Sequence, residues 1–132
     1  MLNIKKGRLL ISKPSLNDDT FFKSVILITH HDNDESIGLV LNHPTKIQLN
    51  TLINDIPIID LPIYIGGPVA RNTIQFIHRI GNTVPNTQKI TEGLYWGGDF
   101  QKILELISTK EITKHQIRFF AGYSGWGENQ LN

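Results

Sequence analysis

Five histidines, two of them adjacent and followed by carboxylates, are the first place to look for chemistry in this chain. His30 and His31 precede Asp32 and Asp34, a set of nitrogen and oxygen donors that could hold a divalent metal and activate water. Successive residues on a strand point to opposite faces, so His30 and His31 do not readily share one ion, and no H-E-x-x-H spacing is present. Ordinary hydrogen-bonding histidines are the plainer reading, for this pair and for His43, His78 and His115. A second place is Ser124, in Gly122-Tyr123-Ser124-Gly125-Trp126. A nucleophile elbow requires G-x-S-x-G, and here Trp126 stands where the second glycine belongs, which favours a hydroxyl bonded to nearby backbone. Third, Gly66-Gly67 and Gly97-Gly98-Asp99 could form anion nests from successive backbone N–H groups. The Asp99 carboxylate competes at the second, and neither matches a Walker loop or a dinucleotide fingerprint. Asn42, closing the run IGLVLN before His43-Pro44, could cap backbone groups or reach into a cleft between strand ends.

These residues need elements to hold them. Arg8 to Ser12 reads as a short strand closed by Lys13-Pro14, and Asn17, Asp18 and Asp19 mark a turn before Phe21-Phe22. Val25 to His31, rich in β-branched residues, is a buried strand. Asp32 to Ser36 is a polar hairpin loop and Ile37 to Asn42 the returning antiparallel strand. His43-Pro44 ends it. A short helix is expected from about Ile47 to Asn54, then an irregular connector from Asp55 to Pro62. Leu61 to Ile65 is a strand running into the sharp turn Gly66-Gly67-Pro68-Val69. Thr73 to Arg79 alternates, with Ile74, Phe76 and His78 on one face and Gln75, Ile77 and Arg79 on the other. Gly81 to Lys89 reads as a polar loop, and Ile90 to Trp96 as a short strand interrupted by Gly93. Asp99 is a good N-cap for a helix whose apolar residues Phe100, Ile103, Leu104 and Ile107 fall at i, i+3, i+4 and i+7, one face for the sheet. Thr109 to Lys114 leads to a final strand, Gln116 to Tyr123, entering a glycine-rich corner pinned by Tyr123 and Trp126.

Composition narrows the function classes. At 132 residues the chain fits one domain with an adequate core. With no cysteine, thiolate chemistry and disulfides are excluded. Thirteen basic against twelve acidic residues, without like-charge blocks, is a poor footprint for nucleic acid. No apolar run reaches the roughly 18 residues of a membrane span, and no signal segment is recognisable. The expectation is a soluble, cytoplasmic protein.

The motifs GRLLIS-K-P, TFFKSVILITHHDNDESIGLVLNHP, IYIGGPV, GLYWGGDF and RFFAGYSGWGENQL resemble, in order and spacing, the YqgE/AlgH family of bacterial proteins, from Gly7 to the end. The resemblance implies a single α+β domain, 1–132, of coiled, largely antiparallel, bifurcated β-sheets flanked by a few helices. It carries over no established activity, catalytic residue or cofactor. One branch of the family is named for transcriptional regulation of alginate synthesis, yet nothing here resembles a helix-turn-helix or a basic reading element. Two positions depart from the family pattern: Ser124 where alanine is frequent and Asn129 where glycine is usual. Members continue past Gln130-Leu131 into a helix and tail, so the domain is expected to lack that segment and to leave apolar surface exposed or covered by a partner.

The expectation is therefore a binding or regulatory module rather than an enzyme. The GLVLN and GGPV strand ends and the GYSGW corner would enclose a cleft for a small ligand or protein segment, contacted by Asn42, Gly66, Gly67, Tyr123, Ser124 and Trp126. No cofactor, catalytic residue or metal ligand is assigned. The alternatives are a transcriptional regulator acting on DNA and, third, a metal-assisted hydrolase using His30, His31 and Asp32.

Overall fold

Alternation along IRFFAGYSGWG sets the architecture. In the computed structural model, which describes residues 5–12, 24–54, 56–57 and 59–127, this whole run is one strand that serves two sheets. The described elements are β1 (Leu9–Ser12), β2 (Ser24–His31), β3 (Glu35–Val40), β4 (Pro44–Gln48), α1 (Leu49–Leu52), β5 (Pro62–Ile65), β6 (Val69–His78), a 3-10 turn (Gly81–Thr83), β7 (Gln88–Thr91), β8 (Leu94–Trp96), α2 (Phe100–Ser108) and β9 (Ile117–Gly127). The strand order is β1-β2-β3-β9-β6-β8-β7, with β5 pairing both β4 and β9. Pairing is antiparallel except between β5 and β9, which run parallel. This is the single α+β domain expected, with its sheet curled into a half-barrel.

The fork lies on β9. One edge pairs with β6 from Ile117 to Ala121 and again at Tyr123. The other edge meets β5 at Phe119 to Ala121 and then β3 from Ser124 to Gly127. Gly122, with φ of +73°, turns the strand between the two partners. The expected corner after Tyr123 is thus a bend inside a strand: Gly125 and Gly127 continue the β3 ladder instead of ending it. Gly125 stands opposite Ile37 and Gly127 opposite Glu35, and this cross-strand pairing outweighs the turn preference of the glycines.

Side-chain alternation then fills three apolar layers. Ile117 and Phe119 face one way and pack with Phe76, Leu61, Ile63 and the α2 residues Ile103, Leu106 and Ile107. Phe120 faces the interior of the curl with Leu27, Leu39 and Ile77. On the far side of β2 and β3, Ile26, Ile28 and Val40 pack with Leu10 and Trp126. Phe119 and Phe120 are both fully buried, and each contributes about 2–3 kcal/mol by leaving water. The alternation expected for β6 holds, since Phe76 and Ile77 fall in different layers. Asp99 caps α2 by accepting from the Lys102 N–H at 3.2 Å, as its position predicts.

Several expectations need correcting. The IGLVLN strand does end ahead of His43-Pro44, β3 stopping at Val40, but Pro44 opens a further strand, β4, whose Thr45 hydroxyl donates to the Ile63 carbonyl at 2.7 Å. The expected helix at Ile47 to Asn54 shrinks to Leu49–Leu52 because β4 claims Ile47 and Gln48. Gly81 to Lys89 contains the 3-10 turn and the start of β7. Ile90 to Trp96 is no single strand but a hairpin of β7 and β8 folded at Gly93, whose φ is +78°. Lys13-Pro14, the turn at Asn17 to Asp19, Phe21-Phe22, Asn129 and the Gln130-Leu131 helix start lie outside the described residues.

Candidate functional site: a cationic mouth on the curled sheet

The expected cleft between the GLVLN, GGPV and GYSGW segments is filled with backbone. A methyl group on Gly66 would stand 2.4 Å from the Gly122 carbonyl oxygen, and one on Gly67 would stand 2.3 Å from the Tyr123 carbonyl. The Gly66 N–H is already donated to Ala121 at 3.0 Å, and the Gly66 carbonyl accepts from Val40 N–H at 2.9 Å. Ser124 is buried and donates its hydroxyl to that same carbonyl at 3.2 Å. Gly66, Gly67, Tyr123 and Ser124 therefore converge, as a packed seam. Trp126 and Asn42 do not join them. Trp126 packs with Ile26, Ile28 and Val40 on the opposite face from Tyr123, and the Asn42 side chain turns to β2, accepting from Val25 N–H at 2.9 Å.

The histidines also disperse. His30 Nε2 lies 2.8 Å from Asp32 Oδ2, whereas His31 Nδ1 meets the Ser36 hydroxyl at 2.6 Å. Opposite-facing neighbours could not do otherwise on a strand. The donors gathered with His30 are Asp32 and Glu35, all within 4.8 Å of one another, so the hydrolase set of His30, His31 and Asp32 does not assemble. Backbone N–H bonds from Glu35 and Asp34, then the His30 contact, hold the Asp32 carboxyl down to about 2.

Open space lies instead at the mouth of the curl, between the ends of β1, β2 and β3 on one side and of β6, β8 and β9 on the other. A cavity of about 420 Å³ has a floor of Leu27, Leu41, Ile77 and Leu94, with Leu9 at its edge. Arg79, Lys114, His115 and Arg118 stand around it. Alternation explains the last of these: Arg118 shares the face of Phe120 on β9 and pairs with Ile77 of β6, but it sits nearer the strand's open end, where a charge reaches water. Its guanidinium donates to the Leu41 carbonyl at 3.1 Å and lies 4.5 Å from the Tyr64 ring centroid. Arg118 so ties the two lips together while keeping further N–H donors. Lys114 pairs with Asp60 at 3.6 Å, both side chains well exposed, and is worth little as a bond there. A smaller space of about 190 Å³, lined by Asp60, Tyr64 and again by Lys114, His115 and Arg118, opens on the other flank.

Behind the mouth, His78 is 1% exposed. Its Nε2–H points to Thr87 Oγ1 at 2.9 Å and Gly97 O at 3.2 Å, Nδ1 accepts from Ile80 N–H at 3.4 Å, and the ring stacks on Tyr95 at 5.7 Å. Burial pushes its pKa down, partly countered by the Gly97 carbonyl. Sequence reasoning missed this cavity, whose lining comes from six separate segments. The one legible sign was Ile77 and Arg79 on a common face of the alternating run Thr73 to Arg79.

A curled, forked, largely antiparallel sheet with helices packed on one layer defines a single α+β domain. The sequence profile described as AlgH-like matches residues 9–132, and the chain belongs to that family. It is 38% identical over 128 residues to a UPF0301 protein of Chlorobaculum parvum, covering 97% of this chain and 68% of the relative. With a UPF0301 protein of Bacteroides fragilis it shares 41% over 127 residues, 96% of this chain and 64% of that one. It spans about two-thirds of the length of these relatives. The solution structure of the AlgH protein from Pseudomonas aeruginosa superposes with a TM-score of 0.71 at 25% identity, over 93% of this chain and 68% of that one. A crystal structure of protein DIP2367 from Corynebacterium diphtheriae shares the fold, with a TM-score of 0.71 at 24% identity over 98% of this chain and 70% of that chain. Among the described residues no helix is long and apolar enough to cross a membrane.

Proposed function

We propose that this protein is a binding or regulatory module rather than an enzyme, and that its ligand is a small molecule seated at the mouth of the curl. The observation that supports this reading is the 420 Å³ cavity with a leucine and isoleucine floor and a polar rim. That size and composition match small-molecule sites in general, which combine an apolar lining with a few orienting polar groups. The seam of Gly66, Gly67 and Ser124 then has a supporting part, fixing the angle between the two sheets that form the lips.

The test is native mass spectrometry of the untagged protein isolated from its own cells, recorded under native and then denaturing conditions. A mass lost on denaturation, and absent from a Leu94→Trp variant whose indole fills the floor, is the expected result. A native mass equal to the bare chain or a simple multiple of it would overturn the reading. So would retention of the same ligand by folded Leu94→Trp.

A further inference from the structure

The chemistry of the mouth narrows the ligand beyond the binding-module reading, on which this inference rests. We infer that the mouth takes a small amphipathic anion: a carboxylate or phosphate monoester carrying an aliphatic chain of several carbons.

Two halves of the site point to two halves of the ligand. The floor is aliphatic: Leu27 and Ile77 are buried at 3% and 8% exposure, whereas Leu9 is 54% exposed, so apolar area at the rim remains to be covered. The headgroup end is cationic. Arg79, Lys114, His115 and Arg118 come from the end of β6, the loop before β9 and the start of β9, and they converge on one opening. Among the described residues only Lys114 of these four has a carboxylate partner, Asp60. In a chain of formal charge +1, histidine counted as neutral, gathering Arg79, Lys114 and Arg118 around one apolar cavity is a local departure from the average, and it suits an anion.

Arg118 is the natural anchor. Its contacts with Leu41 and Tyr64 fix the guanidinium plane before any ligand arrives, and a pre-oriented fork binds carboxylate or phosphate in a bidentate manner at less entropic cost. Arg79, exposed and held through its backbone N–H to Gln116 at 2.9 Å, can swing over the headgroup. Lys114 can exchange the Asp60 carboxylate for the ligand's, both being solvent-accessible at 3.6 Å.

The test uses the full chain, ¹⁵N-labelled, titrated at pH 7 with octanoate, octyl phosphate, n-octanol and octylammonium. The expected result is movement of the Leu27, Leu41, Ile77, Leu94 and Arg118 amides with octanoate or octyl phosphate, about tenfold or more weaker binding of octanol, and no binding of octylammonium. Either order between the two anions supports the inference and tells which headgroup is preferred. Hexanoate should bind about fifteenfold more weakly than octanoate, about fourfold per methylene. Arg79→Gln should weaken octanoate several-fold and leave octanol unchanged, and it spares the Arg118 contacts on which the fold of the lips depends. If octanol bound as tightly as octanoate, the anionic class would fall while the cavity reading stood. If no probe moved those amides, both would fall.

Discussion

The hydroxyl of Ser124 is donated to the carbonyl of Gly66 at 3.2 Å, in the crotch where β3 and β5 part company along β9. Gly66 O also accepts from Val40 N–H at 2.9 Å, so one oxygen just past β5 receives a bond from β3 and another from the shared strand β9. Ser124→Ala removes one of these bonds without orphaning the carbonyl. Its expected cost is about 0.5–1.5 kcal/mol, read as a lower urea midpoint at unchanged slope. A nucleophilic Ser124 would instead leave stability intact and abolish labelling by a serine-directed phosphonate.

Gly67→Ala should be far more damaging. The added methyl would lie 2.3 Å from the Tyr123 carbonyl and 2.4 Å from the Ser124 nitrogen, and both are backbone atoms of the shared strand that cannot step aside alone. A loss of about 3 kcal/mol or more is expected, measured by urea unfolding followed through tryptophan fluorescence. A change below 1 kcal/mol (about one ordinary surface substitution) would mean that the two arms are not held together here.

His78 predicts a pH dependence. Burial holds its pKa below the ordinary 6.5 in the folded state, so the unfolded chain binds the proton more readily. The folded state is therefore favoured in full above about pH 6.5 and loses that advantage as pH falls below it. Protonation would also place a hydrogen on Nδ1 facing the Ile80 N–H, donor against donor. Urea midpoints between pH 8 and 5 should decline for the native chain, and the decline should be shallower for His78→Gln. Parallel curves would show that His78 titrates alike in both states.

Asp99→Ala should cost about 1 kcal/mol, the usual worth of an N-cap carboxylate. Lys102 N–H loses its acceptor and α2 loses a negative group at its start. Asp99→Ser should recover most of the loss in a thermal melt. If alanine and serine behaved alike, the cap would not be what anchors α2.

The parts of the fold legible in the sequence are those whose information is local. VILITHH and IGLVLN announce a buried hairpin through β-branched residues around a polar loop, and β2 and β3 pair that way. The helix α2 follows from the Asp99 cap and from the apolar spacing of the adjoining nine residues, Phe100–Ser108. What escaped reading depends on partners distant in the chain. Gly125 and Gly127 look like turn residues until β3, paired from Glu35 to Gly38, is seen to complete their ladder. Pro44 reads as a stop after β3, and only Tyr64, found opposite it, shows that it also opens β4. The expected ligand residues Gly66, Gly67, Tyr123 and Ser124 did come together, as a glycine-rich motif suggests, but their closeness leaves no room between them. The basic rim was invisible for a related reason: Arg79 and Arg118 become neighbours only through the register of β6 on β9.

Because β9 supplies an edge to β3, β5 and β6 alike, and follows all of them in the chain, neither arm of the sheet can finish until this strand has been made. During synthesis the β2–β3 hairpin and the β5–β6 segment must wait with unpaired edges, the condition under which nascent chains stick to one another. Closure then joins residues from far apart in sequence, which makes the search slow. For this protein the passage from ribosome to native state, more than the native state itself, is the stage at which chaperone protection should matter.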